Sequence, residues 1–457
     1  MFVPRHAALA ALLLLVPRPA GLEPVGTAQF GSPADWLAGY LRIDTSNPPG
    51  NEAAAAAYLA RLLHLHGIAT QTLVSSDGRA NLYARIEGRR GGEGLLLLHH
   101  LDVVPPGDGW TVPAFEALVR DGAIWGRGAI DVKSLGIAHL AALVALQREG
   151  IRPLRDIAFL AVADEESGGG GGTAWLWEHH PELFDGIAAV CGEGGTARAP
   201  RGEPIWWGVE VAQKRPLWLR ATTSGRPGHA SGLNPFSAVH KLVEALSRVL
   251  AQPDQWRITP AARVFFGALA PDEPPGQRAL FSDLDAWILP DGPRGGIMPG
   301  QANYFLDTVQ VTVLEGGDRI NVVPARASAL IDVRLLPDTD AEAFLERLRG
   351  ALGGGVEVEV LLASPPAEPS PTDTGAYAAA ASVLAREAPV IPAFISGFTD
   401  ARYFRERGIP AYGVSPFVLD PEVLRGIHGA DERIPLGEFE AGVERMRRIV
   451  RAYAHGE

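Results

Sequence analysis

The 457 residues predict an α/β protein: a domain built on a largely parallel sheet, with a smaller α+β domain inserted into it. Three observations lead there. Between residues 33 and 213, helical stretches alternate with short apolar strands that are mostly non-alternating, the pattern of strands covered on both faces. From about 214 the order becomes strand, helix, strand, strand, helix, strand, which is the ferredoxin-like arrangement. After the Pro/Ser linker "SPPAEPSPTD" (364–373), helices flanking a strand resume, so the chain returns to its first domain. The length also favours two or three domains over one core.

Taken in order, "ADWLAGYLRI" and "EAAAAAYLARLLHLHGI" read as helices, "GLLLLHHLDVV" as a strand, "LGIAHLAALVALQREGI" as a helix, and "DIAFLAVA" and "GIAAVCG" as strands. The small domain then runs through "RPLWLRATTS", "NPFSAVHKLVEALSRVL", "DTVQVTVLEGG", "ASALIDVRLLP", "DAEAFLERLRGAL" and "VEVEVLLA". "GAYAAAASVLAREA", "PAYGVSP" and "FEAGVERMRRIVRAYAHG" complete the large domain. The expected divisions are a leader at 1–30, the first part of the large domain at 31–213, the small domain at 214–363, and the second part at 364–457. An insertion at about 252–307, rich in Pro, Gly and aromatic residues, has no legible structure. Its Trp256, Phe265, Phe266, Phe281 and Trp287 either pack in a core, the favoured reading, or line an apolar pocket.

Composition narrows the function. A net charge of -12 offers no footprint for nucleic acid. A single cysteine, Cys191, leaves no internal disulfide and no thiolate cluster, so a metal would need histidine and carboxylate ligands. "MFVPRHAALAALLLLVPRPAG" has the layout of a secretory signal, with an apolar part shorter than the about 20 residues of a membrane span. Export to a periplasmic or extracellular space is therefore expected. An uncleaved anchor, or a cytoplasmic protein with a misassigned start, is the alternative.

The chemistry concentrates where strands end. The strand "GLLLLHHLDVV" ends in His99, His100 and Asp102; alternation puts His100 and Asp102 on one side and His99 on the other. Asp131 stands just before a helix in "WGRGAIDVKS". Glu165 and Glu166 follow the strand "FLAVA", and Glu193 follows "IAAVCG". Carboxyl ends of strands are where ligands bind in open α/β sheets. So many like charges on one rim would raise one another's pKa values unless a cation balanced them.

Together "HLDVVPP", "GRGAIDVKS", "DEESGGGGG", "GEGG", "GHAS", "NVVP", "DVRLLP", "SGFTDARYF" and "GIHGADERIPL" resemble, in order from about residue 34 to 450, the di-zinc family of carboxypeptidase S, aminoacylase, acetylornithine deacetylase and succinyl-diaminopimelate desuccinylase. The resemblance is greatest to the carboxypeptidase S and N-acyl-amino-acid hydrolase branch. It implies a zinc-peptidase-like sheet with an inserted lid and dimerisation domain, two Zn²⁺ per subunit, and a homodimer formed through the lid. Cobalt or manganese would suit the same donors.

Carried over by position, the resemblance implies that Asp131 bridges the metals. His100 and Glu193 would complete one site, Glu166 and His428 the other; His99 is not at a ligand position. Asp102 would fix the His100 tautomer, and Glu165 would be the general base. A cis peptide is implied at Asp131-Val132. His229 would reach the partner protomer's site to stabilise an oxyanion. Arg334 would grip a substrate carboxylate, with Asn321 a nearby polar contact and Gly397 a backbone contact. Asp400, Asp164, Arg127 and Lys133 read as structural neighbours. The implied activity is hydrolysis of N-acyl amino acids or short peptides with a free C-terminal carboxylate, by hydroxide generated between the metals. A biosynthetic N-acetyl amino acid deacetylase and a non-catalytic binding protein of the same fold are the alternatives.

Overall fold

The structure, a computed structural model, describes residues 31–150, 152–200 and 202–456. The leader assigned to residues 1–30 lies outside them. Among the described residues no helix is long and apolar enough to cross a membrane.

A nine-stranded mixed sheet forms the large body. Its spatial order is Thr70–Val74, Ala80–Ile86, Ile157–Val162, Gly94–His100, Ile187–Gly192, Ala411–Gly413, Trp206–Gln213 and Val390–Ile395, with Thr196–Arg198 paired to Trp206–Gln213. The four strands from Ile157–Val162 to Ala411–Gly413 run parallel. Their carboxyl ends therefore share one rim, the one on which the sequence places its carboxylates. Strands Thr70–Val74, Ala80–Ile86, Trp206–Gln213 and Val390–Ile395 add to those read from the sequence.

Every residue of Gly94–His100 is buried, which explains its unbroken apolar run. Leu95 and Leu97 face the core under helices Lys133–Glu149 and Leu436–His455, whereas Leu96 and Leu98 face the opposite cluster with Leu176 and Phe404. The same alternation sends His99 into the first core, where its ring meets Tyr40, His139 and Phe159. It carries His100 to the other face. Gly136 in the helix Lys133–Glu149 makes room, since a Cβ there would lie 2.4 Å from the His99 ring.

The small sheet is antiparallel, ordered Thr308–Glu315, Arg326–Leu335, Arg215–Ser224, Val356–Ala363. That order matches the ferredoxin-like reading. Helices Ala238–Leu250 and Ala341–Leu352 cover the face carrying Leu217, Leu219, Ala329, Ile331 and Val333. On the other face Trp218 meets Phe398 of the large body, and Leu362 approaches Gly168.

Residues 252–307 leave the small sheet and fold onto the large one. Helices Pro260–Leu269 and Pro275–Ser282 bring Phe265, Phe266 and Phe281 into the main core, and Tyr304 packs on Phe394 of the edge strand. Each aromatic so buried contributes about 1.5–3 kcal/mol by leaving water. Core packing is thus what these rings do.

The contact between His99 and Gly136 yields a test. Gly136→Val should overpack this seam at a cost of about 1–3 kcal/mol, lowering the melting temperature by several degrees in a thermal melt.

Candidate metal centre

Asp131 sits in the turn that opens the helix Lys133–Glu149, and its peptide to Val132 is cis, as the resemblance implied. Its two oxygens point to two imidazoles. Oδ1 lies 3.1 Å from His100 Nε2 and Oδ2 lies 3.1 Å from His428 Nε2. Glu193 Oε2 is 3.6 Å from His100 Nε2, and Glu166 Oε2 is 3.4 Å from His428 Nε2. Two triads result, His100–Asp131–Glu193 and Asp131–Glu166–His428. In each, the candidate ligand atoms lie within 4.8 Å of one another.

Local backbone chemistry aims these groups. His100 ends its strand, and its Nδ1 is 2.8 Å from the main-chain carbonyl of Asp102. Glu165 and Glu166 begin a short turn after Asp164, whose φ is +67°. Glu193 follows its strand into Gly194 and Gly195; a Cβ on Gly195 would lie 2.4 Å from the Gly208 carbonyl oxygen, so the loop requires glycine there.

The Asp102 carboxylate has a different task from the one expected. Its Oδ1 is 3.7 Å from His100 Nδ1, too far for a hydrogen bond. Instead it accepts from the backbone N–H of Glu165 and of Glu166, both at 3.2 Å, and from Asn47 Nδ2 at 2.8 Å. Asp102 therefore positions the pair of glutamates, while its own carbonyl orients the imidazole.

The charges are those of a cation site. Burial, together with the charge of Glu193, pushes the Glu165 carboxyl well above its ordinary range. Burial and Asp131 push Glu193 up to about 8. Hydrogen bonds to Asp131 and Glu166 raise His428 to about 10. Burial works to raise Asp131, yet the hydrogen bonds from His100 and His428 outweigh it and hold its carboxyl well below the usual range. Among the described residues Glu166 Oε1 is buried without a hydrogen-bond partner. Imidazole nitrogens, a carboxylate shared by two triads and an orphaned carboxylate oxygen are a donor set that fits divalent zinc.

One buried carboxylate that the sequence reading passed over ties the centre together. Glu432 Oε1 accepts from the N–H groups of Ile130 (2.7 Å) and Asp131 (3.0 Å), and Oε2 from Gly128 N–H and Arg127 Nη1, both at 2.8 Å. It lies four residues beyond His428, so it locks the His428 segment to the Asp131 turn. Asn47 was likewise missed.

The remaining sites divide between two places. Arg334 stacks on Phe398 at 4.4 Å, beside Gly397, and donates through Nε and Nη2 to Asp332. Thr399 and Asp400 of that loop line a small cavity with His100, Glu165 and Glu193, which links the Arg334 region to the centre. His229 and Asn321 lie elsewhere, on and beside the exposed ribbon that pairs Gly228–His229 with Val322–Val323, where the Ala230 N–H donates to the Asn321 carbonyl at 3.0 Å. Asp400 accepts from Thr173 Oγ1 at 2.6 Å, Arg127 serves Glu432, and Lys133 donates to the Ile43 carbonyl at 2.8 Å. Asp164 accepts from Asn47 and Gly171 N–H.

The profile of Peptidase family M20/M25/M40 matches residues 96–452, a span holding every side chain of the centre. The chain belongs to that family. It falls with the aminoacylase and carboxypeptidase S-like members. Aminoacylase-1 of Pongo abelii is 31% identical over 424 residues, covering 91% of this chain and 93% of its own. N-fatty-acyl-amino acid synthase/hydrolase PM20D1 of Xenopus tropicalis is 29% identical over 370 residues, covering 76% and 70%. The fold is that of the M20 family metallo-carboxypeptidase Sso-CP2 from Sulfolobus solfataricus, with a TM-score of 0.71 at 18% identity, over 93% of this chain and 99% of that one. The protein is thus an M20 hydrolase.

Within that M20 site the Glu432 clamp makes a prediction. Glu432→Gln should lose stability, because the buried Arg127 loses its ion-pair partner, and the folded protein should bind a divalent metal such as zinc about 10–100-fold more weakly, the usual cost of losing a group that orients ligands. Competition with a chromophoric chelator would measure it, and unchanged affinity would show that the clamp does not set the site.

Proposed function

We propose that the protein hydrolyses the amide bond of N-acyl amino acids or short peptides that end in a free carboxylate. The observation that carries this reading is the pair of triads sharing Asp131, with the buried Glu165 beside them. In this reading His100 and Glu193 hold one zinc ion and Glu166 and His428 the other, with Asp131 between. Bound there, the ions would polarise the amide carbonyl and acidify water.

The chain's own groups do the rest. Glu165 takes the proton of the attacking water on its carboxylate and delivers it to the amide nitrogen as the C–N bond breaks. Its burial excludes bulk water from that transfer. Arg334, held flat on Phe398, grips the C-terminal carboxylate, and Gly397 offers its backbone beside it. That grip restricts the enzyme to the bond next to a chain end. Support for an acyl substrate comes from the aminoacylase and fatty-acyl hydrolase relatives.

The small sheet serves as a lid and as the dimer contact. His229 and Asn321 then complete the partner protomer's site, with His229 donating to the oxyanion as it forms. Their exposure on one ribbon supports this reading.

Glu165→Gln should keep two zinc ions per chain, counted by elemental analysis, and lose hydrolysis by at least about 100-fold. His229→Ala should keep its metals and fall about 100-fold, the loss expected for one oxyanion donor. Mixing the two variants in equal amounts should restore about a quarter of the wild-type rate, because random exchange makes half the dimers mixed and one site of each regains both groups. No recovery on mixing would remove His229 from the partner's site.

A further inference from the structure

A second cavity opens at the metal centre, and none of Arg334, Gly397 and Phe398 lines it. It has a volume of about 150 Å³, and Asp131 and Glu193 form part of its wall. Its other walls are apolar: Ile130, Val132, Leu135, Phe417, Leu419 and Leu424. Ile427, the neighbour of His428, adds a further aliphatic contact, and Gly194, Gly195, Thr196 and Ser415 complete the lining without adding a charged group. Four of the lining residues adjoin candidate ligands in the chain: Ile130 and Val132 flank Asp131, Gly194 follows Glu193, and Ile427 precedes His428. The cavity is therefore continuous with the reacting centre.

Resting on the hydrolase reading above, we infer that this cavity receives the acyl side of the scissile amide and selects apolar acyl groups of about six carbons. The argument is one of direction, size and charge. Arg334, Phe398 and Gly397 hold the amino-acid carboxylate on the side of the small cavity lined by Thr399 and Asp400. The two cavities share Glu193, so an amide lying across the centre sends its acyl group into the other one. An apolar cavity of about 150 Å³ accommodates a benzene-sized group. No cationic side chain among the described residues lines the cavity to pair with a second carboxylate, so burying a succinyl group among its aliphatic walls is unfavourable. Core-buried Phe265, Phe266 and Phe281 lie outside this cavity, and the chain takes its acyl specificity from the loops that carry the ligands.

The test uses the zinc-loaded protein and one amino acid, alanine, acylated with acetyl, butanoyl, hexanoyl, phenylacetyl, decanoyl or succinyl groups. Hexanoyl and phenylacetyl substrates should exceed acetyl in kcat/KM by about 10-fold or more, the scale of an added apolar group in a fitted pocket. Decanoyl should gain nothing further, and succinyl should fall below acetyl. Leu424→Trp, which fills the cavity, should abolish the hexanoyl advantage while acetyl turnover persists. Leu135→Ala, which enlarges it, should shift the optimum to longer chains. A flat acyl-length profile, or a Leu424→Trp variant that keeps the hexanoyl advantage, would overturn the assignment alone. Absence of hydrolysis across the whole series would overturn the hydrolase reading and the assignment with it.

Discussion

The centre depends on a carboxylate that faces no substrate. Glu432 takes four hydrogen bonds from the turn before Asp131, three from backbone N–H groups and one from Arg127. A backbone N–H buried without a partner is costly, so this turn could not lie in the interior unless something accepted its hydrogen bonds. Because Glu432 lies so close to His428 in the chain, satisfying the turn also brings the C-terminal part of the large body to the N-terminal part. Asp131 can then address both imidazoles at once.

A second carboxylate does the same on the opposite side. Asp102 accepts from the N–H groups of Glu165 and Glu166 and from Asn47, and so fixes where two adjacent glutamates diverge. One of them turns to the His428 triad, and the other lies in the small cavity with His100 and Glu193. The arrangement keeps like charges close together in a buried place, which is the condition under which divalent cations are held strongly.

Much of this could be read from residue order because two simple periodicities were in play. The alternation of Leu95 to His100 separated a packing histidine from a ligand-like one, and the strand-end carboxylates fell on one rim because four strands are parallel. The ferredoxin-like order was legible for the same reason. Glu432 and Asn47 were not, since a side chain that accepts from or donates to backbone leaves no spacing pattern and resembles any polar loop residue. The resemblance pointed to Asp102 as the residue that orients His100; its main-chain carbonyl makes that contact, while its carboxylate, 3.7 Å from Nδ1, turns to the glutamates. Residues 252–307 resisted reading because short amphipathic helices announce that they will be buried but not against which core.

That last segment has a mechanical consequence. The chain passes between the small sheet and the large body near residues 213, 251, 307 and 364, and the excursion between the middle two crossings is welded to the edge strand by its phenylalanines. The excursion belongs mechanically to the large body that holds its rings, so any displacement of the small sheet has to be taken up by the few residues at those four crossings.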